Sequence, residues 1–316
     1  MNTKVVYVTG CLGFIGYHVT KACLNQGWYV RGVDKMTYAA NVNLLPELEK
    51  YGNKFIFENK DINDLDILYE CDYVINTAAE THVDNSIASS EVFVRSNIDG
   101  VHHLLELIKQ KHKFKMPTLL HFSTDEVYGD IVEGFHSETD LLKPSNPYSA
   151  TKAAADMLVT AWARTYGVPY VIVRPTNNYG IGQYTEKFIP HTIKYLSLGK
   201  PAPLHDAGTP RRTWLHASDT ASAIITIINH GVTNEIYNIS GNYEESNLTV
   251  AKMIIKGMGL KGDPMQYLDT SIRRAGQDVR YAIDDTKLQD LGWNPVADFS
   301  KELKSIIKYY TKNFIW

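Results

Sequence analysis

Along the first half of the chain, two hydrophobic periods take turns. Short runs of β-branched and aromatic residues carry no regular polar face, the pattern of strands covered on both sides. Lys4–Thr9, Tyr29–Val33, Lys54–Glu58, Tyr73–Thr77, Thr118–Ser123 and Tyr170–Arg174 are of this kind. The stretches between them repeat apolar residues at helical spacing, most clearly Gly13–Leu24, Glu91–Lys109 and Ser149–Tyr166. The Asn25–Gly27 turn stops the first of these helices. Strand and helix in alternation predict parallel strands with helices on both faces, an α/β doubly wound sheet. Beyond residue 176 the rhythm breaks: Pro and Gly become denser around 190–210, the elements shorten, and a helical stretch over Phe299–Asn313 closes the chain. The expected organisation is a first domain over 1–176, joined by returning segments around 213–240, and a smaller α/β substrate-binding lobe from about 177–212 and 241–316.

Composition adds limits rather than direction. The 316 residues can enclose a large core, and 44% hydrophobic with 21% charged residues is ordinary for a globular protein. With 32 basic against 35 acidic side chains the net charge is −3, so neither nucleic acid nor a membrane is an expected partner. The lysine-rich run Lys109–Lys115 falls where a helix should end, and cations there meet the helix dipole favourably. Cys11, Cys23 and Cys71 are too few for a disulfide framework, no Cys-x-x-Cys occurs, and no metal is expected. Reduced thiols, an N-terminal segment without signal-peptide character and no apolar run of roughly 18 residues imply a cytoplasmic protein.

Directly after the first strand, TGCLGFIG places Gly10, Gly13 and Gly16 at even spacing where a helix opens. A backbone without Cβ can turn tightly there and approach a pyrophosphate, whose charge the helix N-terminus meets. The second strand ends at Asp34. A carboxylate there can accept hydrogen bonds from the adenosine ribose and would repel a 2′-phosphate. This Rossmann-type combination favours NAD over NADP, although Lys35 follows at once. Asp61 and Ile62, after the third strand, are placed to hold the adenine amine. Thr77, Ala78 and Ala79, after the fourth, are small residues suited to close approach.

PYSATK sets Tyr148 one helical turn before Lys152, so the two side chains share a face. A free tyrosine, with a pKa near ~10, is a poor base at neutral pH. A neighbouring ammonium and the cationic nicotinamide would stabilise the phenolate, and Tyr148 could then take a hydroxyl proton while the same carbon is oxidised. A second chemical feature is STDEVYG (123–129), where Asp125 and Glu126 stand side by side behind Thr124. Capping a helix N-terminus would explain one carboxylate but not the set of three. An acid and a base working at one pH would explain both, because adjacent carboxyls in a desolvated site push their pKa values apart.

These segments together resemble the extended short-chain dehydrogenase/reductase family, many of whose members act on nucleotide sugars. The likeness covers essentially the whole chain: TGCLGFIG, VDKMTYAAN (33–41), AAETHVDNSI (78–87), STDEVYG, PYSATK, RPTNNYG (174–180), EKFIP (186–190) and RYAID (280–284). Thr124, Asp125 and Glu126 match the Thr-Asp-Glu motif of its dTDP-glucose 4,6-dehydratases. The resemblance implies C4 oxidation of an NDP-glucose, loss of water across C5 and C6, and return of the hydride to C6. Asp125 would be the acid at the C6 hydroxyl, Glu126 the base at C5, and Thr124 would hold the C4 hydroxyl near Tyr148. It also implies that Phe14, Ile15, Lys35, Thr37 and Asn97 join the NAD site, with Tyr148 and Lys152 shared between cofactor and chemistry. His82, Asn177, Lys187, His205, Arg212 and Arg280 would contact the nucleotide-sugar substrate. A homodimer is implied too, paired through Glu91–Lys109 and Ser149–Tyr166, whose apolar Leu104, Leu105, Ile108, Met157 and Trp162 could equally be core.

The sequence departs from the dTDP-glucose pattern in places. RRAGQDVRYAID (273–284) stands where RPGHDRRYAID is usual, and PLHDAG (203–208) puts His205 where a tyrosine lies near the base. A histidine there and the phrase THVDNS (81–86) also resemble plant-type UDP-glucose dehydratases. UDP-glucose is therefore the alternative substrate, with an epimerase or UDP-glucuronate decarboxylase as the alternative chemistry.

Overall fold

The computed structural model describes residues 3–113 and 115–313. Met1 and Asn2 of the N-terminal stretch, and Phe114 of the lysine-rich run, lie outside the described residues. The strands are β1 (Val5–Thr9), β2 (Tyr29–Asp34), β3 (Phe55–Asn59), β4 (Tyr73–Asn76), β5 (Thr118–Phe122), β6 (Tyr170–Pro175), β7 (Asn177–Tyr179), β8 (Ala202–Pro203), β9 (Arg211–His216), β10 (Glu235–Ile239), β11 (Tyr243–Ser246) and β12 (Leu268–Asp269). The helices are α1 (Phe14–Asn25), α2 (Leu45–Glu49), α3 (Val83–Ala88), α4 (Glu91–Val94), α5 (Gly100–Lys109), α6 (Pro147–Tyr166), α7 (Phe188–Ser197), α8 (Ala217–His230), α9 (Asn247–Gly257), α10 (Thr286–Gln289) and α11 (Phe299–Tyr310).

Seven parallel strands form the main sheet in the order β10-β6-β5-β4-β1-β2-β3. The six strands expected from the sequence are all in it. The seventh, β10, has only a partly buried start and a short apolar end, too weak a pattern to stand out. Both faces are covered. On one, Val6, Val8 and Ile75 pack with α1, with α8, and with Leu288 and Trp293 returning from the chain's last quarter. On the other, Tyr7, Val74 and Leu119 meet α5 and α6. A third apolar cluster joins α7, α9 and α11 around Trp214 and Phe299, beside a three-stranded sheet β11-β9-β7 and the pair β12-β8.

The chain reverses its winding direction between β1 and β4, so the loops after these strands diverge and leave a crevice at their carboxyl ends. Thr9 and Asn76 tie the two strands together beneath it, hydroxyl to side-chain carbonyl, at 2.6 Å.

Glu91–Lys109 is not one regular helix. A π turn over Arg95–Asp99 separates α4 from α5 and turns Ser96 and Asn97 inward. Such a turn adds a residue without changing the polar pattern much, so periodicity alone does not reveal it. Leu104, Leu105 and Ile108 are fully buried core. They are not free for a partner chain, whereas Met157 is 56% exposed. Lys109 pairs with Glu106 at 2.8 Å and Lys115 with Asp72 at 2.8 Å. Among the described residues no helix is long and apolar enough to cross a membrane.

Candidate active site

The corner after β1 can be built only with glycine. Gly10 has φ +71°, and a Cβ on it would lie 2.8 Å from the Ala78 nitrogen and Cα. A Cβ on Gly16 would lie 2.0 Å from the Gly10 carbonyl oxygen. Above this corner lies a cleft of about 100 Å³ that brings together Gly10, Gly13, Asp34, Lys35, Thr37, Asp61, Ile62, Thr77, Ala78 and Ala79. Asp34 is oriented by the N–H groups of Leu12 (3.0 Å) and Met36 (2.7 Å). The Lys35 ammonium donates to Ser96 Oγ at 3.0 Å and lies 3.5 Å from Asp61. Asp61 accepts from the Asn63 N–H at 2.9 Å and caps the turn that carries Ile62. Asn97 is buried behind the cleft rather than lining it. Its amide clamps both peptide groups of Glu80, at 2.9 and 3.0 Å, and Thr151 Oγ1 at 3.0 Å. The backbone cradle, the helix N-terminus and the carboxylate at the end of β2 fit a dinucleotide.

A second cleft of about 240 Å³ continues from the first along Phe14, Ile15 and Gly16 to Thr124, Asp125, Glu126 and Tyr148. Thr124 receives the Glu126 N–H (3.3 Å) and donates its hydroxyl to Asp125 Oδ1 (3.1 Å). Asp125 is 2% exposed, and its Oδ2 has no hydrogen-bond partner among the described residues. Burial, reinforced by the neighbouring Glu126, pushes the Asp125 carboxyl up to about 7. Burial raises Glu126 too, but the Arg212 guanidinium and the Asn146 amide (3.4 Å) pull it back. The pair is thus asymmetric, with Asp125 the group better kept neutral and Glu126 the one supported as an anion.

Tyr148 and Lys152 are both buried on α6. Asn146 opens that helix through a reciprocal cap with Ser149. The electrostatics differ from the sequence expectation. The Lys152 ammonium donates to the Phe122 carbonyl at 2.6 Å, and burial pulls it down to about 8. The Glu126 and Asp125 charges oppose ionisation of Tyr148. Together with burial they push its phenol well above the usual range, against a Thr124 hydrogen bond. Lowering that phenol calls for positive charge beside it, which the Lys152 ammonium and the cationic nicotinamide of a bound cofactor can supply.

The third cleft, about 320 Å³, opens on the far side of Glu126 and is lined by His82, Asn177, Lys187, His205 and Arg212. Lys187 donates to the Thr81 carbonyl and hydroxyl at 2.9 and 3.0 Å. Arg212, 8% exposed, is anchored on the carbonyls of Arg211 and Asp278 at 2.7 and 3.1 Å, with its guanidinium 4.5 Å from the Tyr281 ring centre. Asn177 Oδ1 and His205 Nδ1 have no hydrogen-bond partner among the described residues. His82 also caps α3 through the Asn85 N–H. Burial and the Arg274 charge hold the His205 imidazole below its ordinary pKa.

Arg280 is the exception among the expected substrate contacts. It lines neither of the two larger clefts, because Glu244 takes its Nε and Nη2 at 2.8 and 3.0 Å and the Gly134 carbonyl takes its Nη1 at 2.9 Å. Arg274, six positions earlier, instead joins Lys187 and Arg212 at the cleft, held by Asp84 at 2.7 and 2.8 Å. The Arg273–Arg274 doublet was the available signal, but only the folded loop decides which arginine turns inward.

The sequence model of the family described as GDP-mannose 4,6 dehydratase matches residues 7–306. The chain belongs to this family. It is 39% identical to the dTDP-glucose 4,6-dehydratase of Haemophilus influenzae, over 98% of each chain. It is 38% identical to a trifunctional Arabidopsis thaliana protein with UDP-glucose 4,6-dehydratase activity in its name, over 99% of this chain and 48% of that one. The dTDP-glucose 4,6-dehydratase of Streptomyces venezuelae, solved with NAD bound, superposes with a TM-score of 0.92 at 33% identity, covering 98% of this chain and 97% of the other.

Proposed function

We propose that this protein is an NAD-dependent lyase that dehydrates dTDP-glucose to dTDP-4-keto-6-deoxyglucose. The observation that carries the reading is the position of Glu126. It lines both the cleft that continues from the glycine corner and the cleft that gathers Lys187, Arg212 and Arg274, with Asp125, its carboxyl pushed up to about 7 by burial, beside it. A sugar joined to a diphosphate in the cationic cleft would reach the carboxylate pair from one side while the dinucleotide reached it from the other. Gly10, Gly13 and Gly16 with Phe14 and Ile15 would take the dinucleotide pyrophosphate, Asp34 its ribose, and Asp61 with Ile62 its adenine. The chemistry NAD supplies when bound is temporary oxidation of the sugar at C4 and its reduction at C6.

Tyr148, helped by Thr124, takes the proton of the C4 hydroxyl. Once C4 is a ketone the C5 hydrogen is acidic, and Glu126 removes it. The C6 hydroxyl leaves as water with the proton of Asp125, so the elimination balances without any further reagent. Arg212, Arg274 and Lys187 meet the diphosphate, and His82, Asn177 and His205 line the remaining substrate surface. Residues 1–176 with 213–240 serve the cofactor, and about 177–212 and 241–316 the nucleotide sugar. A homodimer through α4–α5 and α6 fits the 52% exposed Val92 and 56% exposed Met157 on those helices. Light scattering that finds only monomer at micromolar concentration would sink that pairing. A cytoplasmic location fits three buried free thiols.

The 38% identity to the Arabidopsis protein keeps UDP-glucose as the second reading. Purified protein with NAD is incubated with dTDP-glucose and, separately, UDP-glucose, and each nucleotide sugar is weighed by mass spectrometry. Loss of one water, faster from dTDP-glucose, is the expected result. Faster loss from UDP-glucose would change the base, and no loss from either would overturn the dehydratase reading.

A further inference from the structure

Beneath the reacting groups lies a buried polar cluster that the scheme above leaves without a task. Asp156 follows Lys152 by one turn of α6 and is 1% exposed. Its Oδ2 accepts from Ser123 Oγ at 3.0 Å and from Arg174 Nε and Nη2 at 3.1 and 3.0 Å. Its Oδ1 has no hydrogen-bond partner among the described residues, and neither does His121 Nε2, 3.8 Å away. Arg174, 3% exposed, spends Nη1 on the Tyr128 hydroxyl at 2.7 Å.

A carboxylate kept only to neutralise Arg174 would be expected in fork-to-fork contact, one oxygen per nitrogen. Here the guanidinium takes a single oxygen, and the other remains turned into the protein. The titratable groups around Lys152 are Asp156 and Tyr148 on α6, His121 on β5 and Arg174 on β6, with Asp125 and Glu126 beyond Tyr148. His121 is held neutral by burial and by the Lys152 and Arg174 charges. Asp156 is thus the anion of a buried group holding two cations, and its charge is the one that opposes the desolvation of Lys152. Without it one cation must give way. A guanidinium does not lose its proton in a protein, whereas a buried ammonium readily does. The hydrogen bond to the Phe122 carbonyl would not prevent this, because a neutral amine can make it as well.

We propose that Asp156 is a positioning residue that keeps Lys152 in its ammonium form at neutral pH, and so sets the upper pH limit for proton removal by Tyr148. The proposal rests on the reading of Tyr148 as the base, but its test does not need turnover. The full chain is prepared with lysine labelled at the ε-carbon, the Lys152 resonance is assigned by its loss in Lys152→Met, and its titration midpoint is followed by NMR. In Asp156→Asn the midpoint falls by about one pH unit or more. Asp156→Glu, which keeps a carboxylate on the same turn of α6, leaves it near the parent value. In an Asp125→Asn background, NADH formation from dTDP-glucose loses its alkaline limb at correspondingly lower pH when Asp156→Asn is added. An unchanged Lys152 midpoint in folded Asp156→Asn overturns the proposal, even if the melting temperature drops. Should that variant not fold, an unchanged midpoint in Asp156→Ser, which removes the same charge, overturns it instead. A shifted midpoint in a protein that never forms NADH supports the electrostatic role and refutes the functional reading alone.

Discussion

The two ends of the active-site crevice are made of different material. The end at β1 and β4 is mostly backbone. Gly10, Gly13, Thr77, Ala78 and Ala79 come from two short segments, and what matters there is the absence of side-chain atoms. The end at Glu126 is mostly long charged side chains. His82, Lys187, His205, Arg212 and Arg274 come from five separate segments, and most are already engaged with protein partners. A backbone cradle is rigid and tolerates no added atom. A side-chain cage depends on which partner each cation holds, and that choice can change when a diphosphate arrives.

The sharpest contrast is expected at the junction. Tyr148→Phe removes the hydroxyl that accepts the first proton, and kcat falls by roughly 10³-fold with no NADH formed from dTDP-glucose. Asp125→Asn leaves that first step and removes the acid for the second, so kcat falls by roughly 10²-fold while NADH accumulates in the absorbance trace. Fast turnover in either variant would contradict its assigned role.

The pH profile carries a sign that follows from burial. As the proposed acid Asp125 must be protonated, and burial raises its pKa to about 7. Elimination therefore declines as pH rises through about 7, and declines again at low pH, where the burial-raised Glu126 gains a proton and no longer serves as the base. Stability follows the same sign, since a carboxyl with a raised folded pKa favours the fold below its unfolded pKa and loses that contribution as pH rises through about 7. A dehydration rate still climbing well above that pH would refute Asp125 as the acid.

Smaller effects separate the two arginines. Arg274→Ala is expected to raise KM for dTDP-glucose about tenfold, the scale of one lost charged hydrogen bond, with kcat nearly unchanged. Arg280→Ala should leave KM within about twofold and cost about 1 kcal/mol of stability through the lost Glu244 pair, read as a small drop in melting temperature. Reversed results would put Arg280 at the diphosphate and undo the distinction drawn from the folded loop.

What the sequence by itself determined about this protein is whatever depends on neighbours along the chain. Gly10, Gly13 and Gly16 are legible because their spacing is the turn itself. Asp34 is legible because a strand carries it to the same edge, and Tyr148 with Lys152 because one helical turn joins them. Thr124, Asp125 and Glu126 are legible for the same reason, being one capped turn. The tertiary structure decided what depends on distant partners. It gave Arg280 to Glu244 and left Arg274 at the cleft, since an arginine's reach allows several carboxylates and only packing selects one. It placed Asn97 behind the cofactor cleft through a π turn that leaves no mark in the hydrophobic pattern. It bonded Lys152 to the Phe122 carbonyl, leaving burial and the Asp156 charge to govern its proton, because how far water is excluded is a property of the assembled core and not of any segment within it.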